Sequence, residues 1–152
     1  MHHNHYINKC IRMAAKNVEQ GEMPFAAMIV KDGETISHGI NDGLSENDPT
    51  AHGEMRAIQQ AGRVLKTTDL SDCILYTNCE PCPMCYAAAY WAGIKHVYYG
   101  LSIDEQADYD NKPIELYADI AKPRAERAVA VEAGEADEDP RGPFDLLAAK
   151  QE

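Results

Sequence analysis

The stretch Thr77–Gly93, TNCEPCPMCYAAAYWAG, places Cys79, Cys82 and Cys85 at steps of three. Its surroundings decide the fold. CILYT (Cys73–Thr77) leads in as a short apolar run that reads as a buried strand, and HVYYGL (His96–Leu101) leads out as another. Between them Pro81 suits the first turn of a helix reaching to about Ala92. On that helix Cys82 and Cys85 lie about 60° apart around the axis, near the amino end, where both sulfurs can grip one ion. Cys79 falls before the helix, at the end of the strand, and packing is its expected role.

The segments before this stretch continue the alternation. Ile7, Cys10, Ile11, Ala14, Ala15 and Val18 recur at helical spacing, so an amphipathic helix is expected over about Tyr6–Val18, stopped by Glu22-Met23-Pro24. FAAMIV (Phe25–Val30) reads as a buried strand, Asp32-Gly33 as a hairpin turn, and ETISHGIN (Glu34–Asn41) as the returning strand. After the loop DGLSENDPTA, Met55, Ile58, Ala61 and Leu65 mark one face of a second helix. Strand-helix-strand order implies a mixed or largely parallel sheet with helices on its faces. Ligands then sit beyond the strand carboxyl ends and at helix amino ends. Past Ile103 the pattern weakens: a short helix is expected over Pro113–Ile120, a strand over Ala128–Glu132 and a closing helix over Pro143–Lys150.

Composition narrows the function classes. A chain of 152 residues is long enough for one domain with a real core, and the reading is a single domain over residues 1–152. Five cysteines, three of them within seven residues, fit a reduced compartment with a metal or catalytic role better than a disulfide framework. No apolar stretch reaches the roughly 18 residues of a membrane span, and MHHNHYINKC lacks the pattern of a secretory signal, so a cytoplasmic protein is expected. The formal net charge of −11 argues against nucleic acid as partner, because phosphate-backbone binding depends on clustered Lys and Arg. The acidic run EAGEADED (Glu132–Asp139) reads as a solvated loop, and the leading histidines as a frayed terminus or an expression remnant.

Two thiolates alone rarely hold zinc, so a further ligand is expected elsewhere. DPTAHGEM (Asp48–Met55) supplies His52 with Glu54 two positions on. On a regular helix these point roughly 200° from each other, so both can face one site only if that site lies off the helix end. Three protein ligands, His52, Cys82 and Cys85, leave a fourth position open, which marks a catalytic rather than a structural zinc. H-x-E alone says little in a chain with six histidines, and P-C-x-x-C alone fits a redox pair as well. Their combination, with 28 positions from Glu54 to Cys82, is the zinc deaminase signature.

On NDPTAHGEM (Asn47–Met55), CILYTNCEPCPMC (Cys73–Cys85) and YWAG (Tyr90–Gly93), with weaker support from PFAAMIVKDG and IAKPRAER, the chain resembles the cytidine deaminase superfamily. Within it, the resemblance is to the small bacterial guanine deaminases. It implies a three-layer α/β/α fold around a mixed five-stranded sheet, and a homodimer whose carboxyl-terminal segment, from about residue 128, is exchanged. It also implies one Zn²⁺ per chain and a free nucleobase as substrate, with guanine converted to xanthine and ammonia. Glu54 is then the proton shuttle, and Asp110 a second acid, with Asp108 as its alternative. Asn41, Gly53, Trp91 and Phe25 are the expected substrate contacts. Asn41 before Asp42-Gly43 also reads as an ordinary turn former, and Trp91 as a core residue. Gly53 stands where alanine is usual, which the resemblance reads as a widened pocket wall. The tail LLAAKQE has no terminal tyrosine of the kind that caps the pocket in some relatives. Cytosine, a nucleoside, a triazine, the adenosine of a tRNA, and a zinc-stabilised binding module without turnover are the competing readings.

Overall fold

The computed structural model describes residues 2–151, with side chains from residue 3. Two compact units form, Met1–Ala118 and Asp119–Glu152. In the first, α1 (His2–Glu19) precedes a hairpin of β1 (Ala26–Lys31) and β2 (Glu34–Ile40). The hairpin turns through Asp32 and Gly33, both with positive φ, the pairing that a two-residue turn needs to match strand twist. A short helix α2 (Gly43–Glu46) and then α3 (Gly53–Leu65) follow. β3 (Ile74–Cys79), α4 (Pro83–Trp91) and β4 (His96–Leu101) make the parallel crossover read from the cysteine stretch. The short α5 (Ile103–Gln106) and α6 (Lys112–Ile120) come next.

The sheet is mixed, with order β2-β1-β3-β4. β1 runs antiparallel to both its neighbours, and β3 parallel to β4. β2, β3 and β4 therefore end at the same edge, where β1 begins. Alternation along β1 sorts its residues between two cores, as the two-residue period of a strand requires. Ala27 and Ile29 join Leu75, Ala57, Ala61 and Ala89 on the face covered by α3 and α4. Met28 and Val30 join Tyr76 and Cys10 on the face covered by α1.

The expected fifth strand is absent among the described residues, and the sheet has four strands. Residues 128–132 form no ladder, and Val129 and Val131 are 72% and 75% exposed. Alternating valines supply strand propensity but not a pairing partner, and an unpaired segment does not become a strand. The second unit contains a 3₁₀ turn (Arg124–Glu126) and α7 (Gly142–Lys150), with Asp119 accepting from the Ala128 amide and lying 3.9 Å from Lys122. The amino-terminal reading also changes. His3 is not frayed: its Nδ1 lies 2.6 Å from the Tyr76 hydroxyl, and its ring stacks on Tyr98 at 3.8 Å between centroids. His38 and His96 are ordinary exposed strand residues.

One contact sets how closely α3 lies on the sheet. A Cβ at Gly39 would sit 2.0 Å from the Gly53 carbonyl oxygen and 2.5 Å from the Ala57 amide nitrogen. Only a bare α-carbon lets the helix start rest there. Gly53 is looser: its Cβ would lie 3.1 Å from both the Ala26 α-carbon and the Gly39 carbonyl oxygen. We expect Gly39→Ala to cost about 1–3 kcal/mol, as overpacking does, and Gly53→Ala under about 1 kcal/mol. Urea denaturation of both variants checks the ranking, and equal losses would contradict it.

Candidate active site

His52 and Cys82 are the residues immediately before α3 and α4. Both are extended, with φ/ψ of −77°/156° and −67°/170°, and neither side chain caps its own helix. They turn instead toward each other. Pro83, not Pro81, occupies the first helical turn, so Cys82 lies at the helix boundary and Cys85 inside the helix. The His52 Nδ1 lies 3.6 Å from the Cys82 sulfur and 3.5 Å from the Cys85 sulfur. Ligand atoms of all three residues fall within 4.8 Å of one another. A tetrahedral zinc with the usual Zn–S and Zn–N lengths demands an N···S separation of about 3.6 Å. The donor set therefore fits zinc in chemistry and in spacing, and Cys79 stands apart from it. The Cys79 thiol, buried at the end of β3, lies 3.2 Å from the Gln106 side-chain oxygen.

Protons within the cluster are unevenly held. The hydrogen bond from Cys85 holds the Cys82 thiol far below the usual range, at about 4, with His52 adding to the effect against burial. Sharing that proton, together with burial, pushes Cys85 upward. The hydrogen bond with Cys82 raises His52. Burial raises Glu54, which is only 6% exposed in the first turn of α3. A carboxyl held above its ordinary range can both accept and return a proton near neutral pH.

These groups border a cavity of about 760 Å³ at the sheet edge where β2, β3 and β4 end. His52, Glu54 and Cys82 line it, together with Asn41, Phe25 and Asp110. Asn41 directly follows β2, and Phe25 directly precedes β1. Asp108 does not line the cavity, while the Asp110 carboxylate does and accepts from the Lys112 amide. Met23, Leu44, Met84 and Leu116 supply apolar wall, and Glu80 and Gln106 polar wall. Met84 was within sight in the cysteine stretch. Leu116 and Gln106 carried no local signal, since only the packing of α5 and α6 brings them to the cavity.

Two expected contacts are not among the residues lining this cavity in the single chain. Trp91 ends α4 and is 85% exposed there, so it is not a core residue of the chain. Six residues beyond Cys85 it has turned about 120° around the axis from that ligand. Gly53 does not line the cavity either, because its missing methyl would point at Ala26 and Gly39 in the sheet. Its effect is on helix-to-sheet distance and not on pocket width.

Residues 1–101 match the model for the cytidine and deoxycytidylate deaminase zinc-binding region. The chain belongs to that deaminase family. It is 43% identical over 130 residues to a guanine deaminase of Bacillus subtilis, spanning 85% of this chain and 83% of that one. A crystal structure of guanine deaminase from the same organism superposes with a TM-score of 0.90 at 39% identity, covering 98% of this chain and 95% of that one. A tRNA-specific adenosine deaminase of Aquifex aeolicus is 42% identical over 95 residues, 62% of this chain and 63% of that one. In this deaminase His52 and Cys82 stand at two helix starts, with Cys85 in the first turn of α4.

The proton distribution has a direct check. In metal-free protein at pH 6, Cys82 is a thiolate, whereas Cys10 and Cys79, each pushed up to about 12 by burial, are thiols. Iodoacetamide is expected to label Cys82 first, and added zinc to protect it, as read by peptide mapping. Equal labelling of all five cysteines would contradict the assignment.

Proposed function

We propose that this chain is a zinc-dependent hydrolase that converts guanine and water to xanthine and ammonia. The observation that carries the reading is the zinc-fitting His52, Cys82 and Cys85 cluster with the buried Glu54 beside it in one cavity. Overall similarity to the Bacillus subtilis guanine deaminase, 43% identity over most of both chains, favours guanine among the amino-substituted bases. A cavity with apolar walls and a few polar groups suits a flat, free base. The net charge of −11 favours it over a polyanion such as tRNA.

Zinc, when bound, supplies a Lewis acid that brings the pKa of a water in its open position to about 7. Glu54 takes the proton from the attacking water as its oxygen bonds to the amino-bearing ring carbon. The carboxyl then passes that proton to the adjacent ring nitrogen. The added hydroxyl then gives up its remaining proton to become the carbonyl oxygen of xanthine, and that proton passes to the amino group, which leaves as ammonia as the carbon–nitrogen bond breaks. Asp110, which also lines the cavity, is the proposed carrier of that second proton. Asn41 orients the base. Its Oδ1 accepts from the Gly43 amide at 3.0 Å, and its Nδ2 has no protein partner among the described residues. Nδ2 is therefore free to donate to a carbonyl oxygen or ring nitrogen of the base. Phe25 contributes an apolar surface beside it.

Ammonia release from guanine, guanosine, cytosine, adenine and a triazine tests the reading. Guanine is expected to lead, and Glu54→Gln to lose about 10²–10⁴-fold in kcat, the usual worth of a positioned acid–base group, while keeping one zinc per chain. A zinc-loaded protein inert on the whole panel would overturn it, leaving a binding module.

The same reading includes a homodimer with its carboxyl-terminal segment, from about residue 128, exchanged. Val129, Val131, Phe144 and Leu146 are each more than 60% exposed, as are Tyr86, Tyr90 and Trp91 on α4. Apolar groups at this density on a chain of this size favour an interface. Light scattering is expected to give a dimer mass, and Phe144→Asp with Val131→Asp to shift it to monomer. A monomeric wild type would contradict it.

A further inference from the structure

Asn17 lies on α1, outside the cavity lining, and is 2% exposed. Its side-chain nitrogen donates to two carbonyl oxygens at 2.8 Å each, those of Met23 and Asn41. Both acceptors belong to residues that line the cavity, one from the segment entering β1 and the other from the segment leaving β2. The amide carries two N–H groups, and both are used. Its oxygen, by contrast, is buried without a partner among the described residues.

The main chain of Asn17 ties the same wall again. Its carbonyl accepts from the Glu22 amide at 3.0 Å, and the Glu22 carboxylate in turn accepts from the Leu44 and Ser45 amides at 3.3 and 2.7 Å. Asn41 is thus held at three atoms. Its amide donates to the Phe25 carbonyl at 3.0 Å, its carbonyl accepts from Asn17, and its Oδ1 accepts from Gly43. Of the three, the Asn17 bond alone comes from another layer of the fold.

We propose that Asn17 is a positioning residue that clamps the Met23 and Asn41 carbonyls and so fixes the direction in which the Asn41 amide meets the substrate base. The assignment rests on the reading of Asn41 as a base contact. Asn17 itself touches no substrate; it acts through the wall it holds. Losing it lets the Asn41 amide wander, which weakens orientation of the base more than proton transfer at Glu54.

Asn17→Leu keeps the volume and removes both donors, and Asn17→Asp keeps the shape and sets a carboxylate against two carbonyls. Both are expected to raise KM for guanine about 10-fold or more, lower kcat by less than 3-fold and retain one zinc per chain. A double-mutant cycle separates clamp from scaffold: Asn17→Leu combined with Asn41→Ala should lose no more than Asn41→Ala alone. Hydrogen exchange gives a readout that needs no turnover. Gly43, Leu44 and Ser45 amides should exchange faster in Asn17→Leu while α3 amides do not. Additive losses in the cycle, or unchanged exchange at Gly43–Ser45, would overturn the clamp. A wild type inert on guanine would overturn the function reading instead, and the exchange experiment would still decide the clamp.

Discussion

Everything at the site depends on two helix amino ends being brought within a few ångströms of each other at one edge of the sheet. A helix start exposes unpaired N–H groups and a partial positive charge, which favour thiolate and carboxylate nearby. Here the side chains of His52 and Cys82, which would otherwise satisfy those groups, are directed into the cluster. The cost of leaving both helices uncapped by their own boundary residues is tolerable because the cluster uses the same field. The bare α-carbon of Gly39 makes the approach possible, because any side chain there would meet the backbone of α3.

From that constraint the rest of the chemistry follows. Placing Glu54 in the first turn of α3 buries its carboxyl, and burial raises its proton affinity above that of an ordinary carboxylate. Cys82 keeps a thiolate without a metal because Cys85 and His52 donate to it. A site arranged in this way is poised for a cation before the cation arrives, so little reorganisation is needed on loading.

The rest of the cavity wall is built differently. It comes from loops and short helices rather than from long elements, and it is tied by single hydrogen bonds. Asn17, Glu22 and the Arg56–Asp42 ion pair at 2.8 Å hold the Met23–Phe25 and Asn41–Ser45 side. The Tyr117 hydroxyl donates to the Pro81 carbonyl at 2.7 Å and holds α6 against the loop before Cys82. A change in one such tie would move the wall and not the cluster.

The sequence by itself determined four of the five expected strands, the main helices and the grouping of His52 with Cys82 and Cys85. Strand and helix periods are local, and the combined spacing of H-x-E and P-C-x-x-C is read within two short segments. It did not decide what a side chain faces once those elements pack. Trp91 also read as a core residue and is exposed on the single chain, because its position around α4 matters only relative to neighbours. Gly53 looked like a pocket residue and faces the sheet, for the same reason. Residues 128–132 had the alternation of a strand, but a strand exists only where a ladder receives it. Asn17, an unremarked polar residue in an amphipathic helix, became a tie to the cavity only because the fold carried two distant carbonyls to its amide. Local chemistry is written in order along the chain, whereas distances between elements arise only when their surfaces meet.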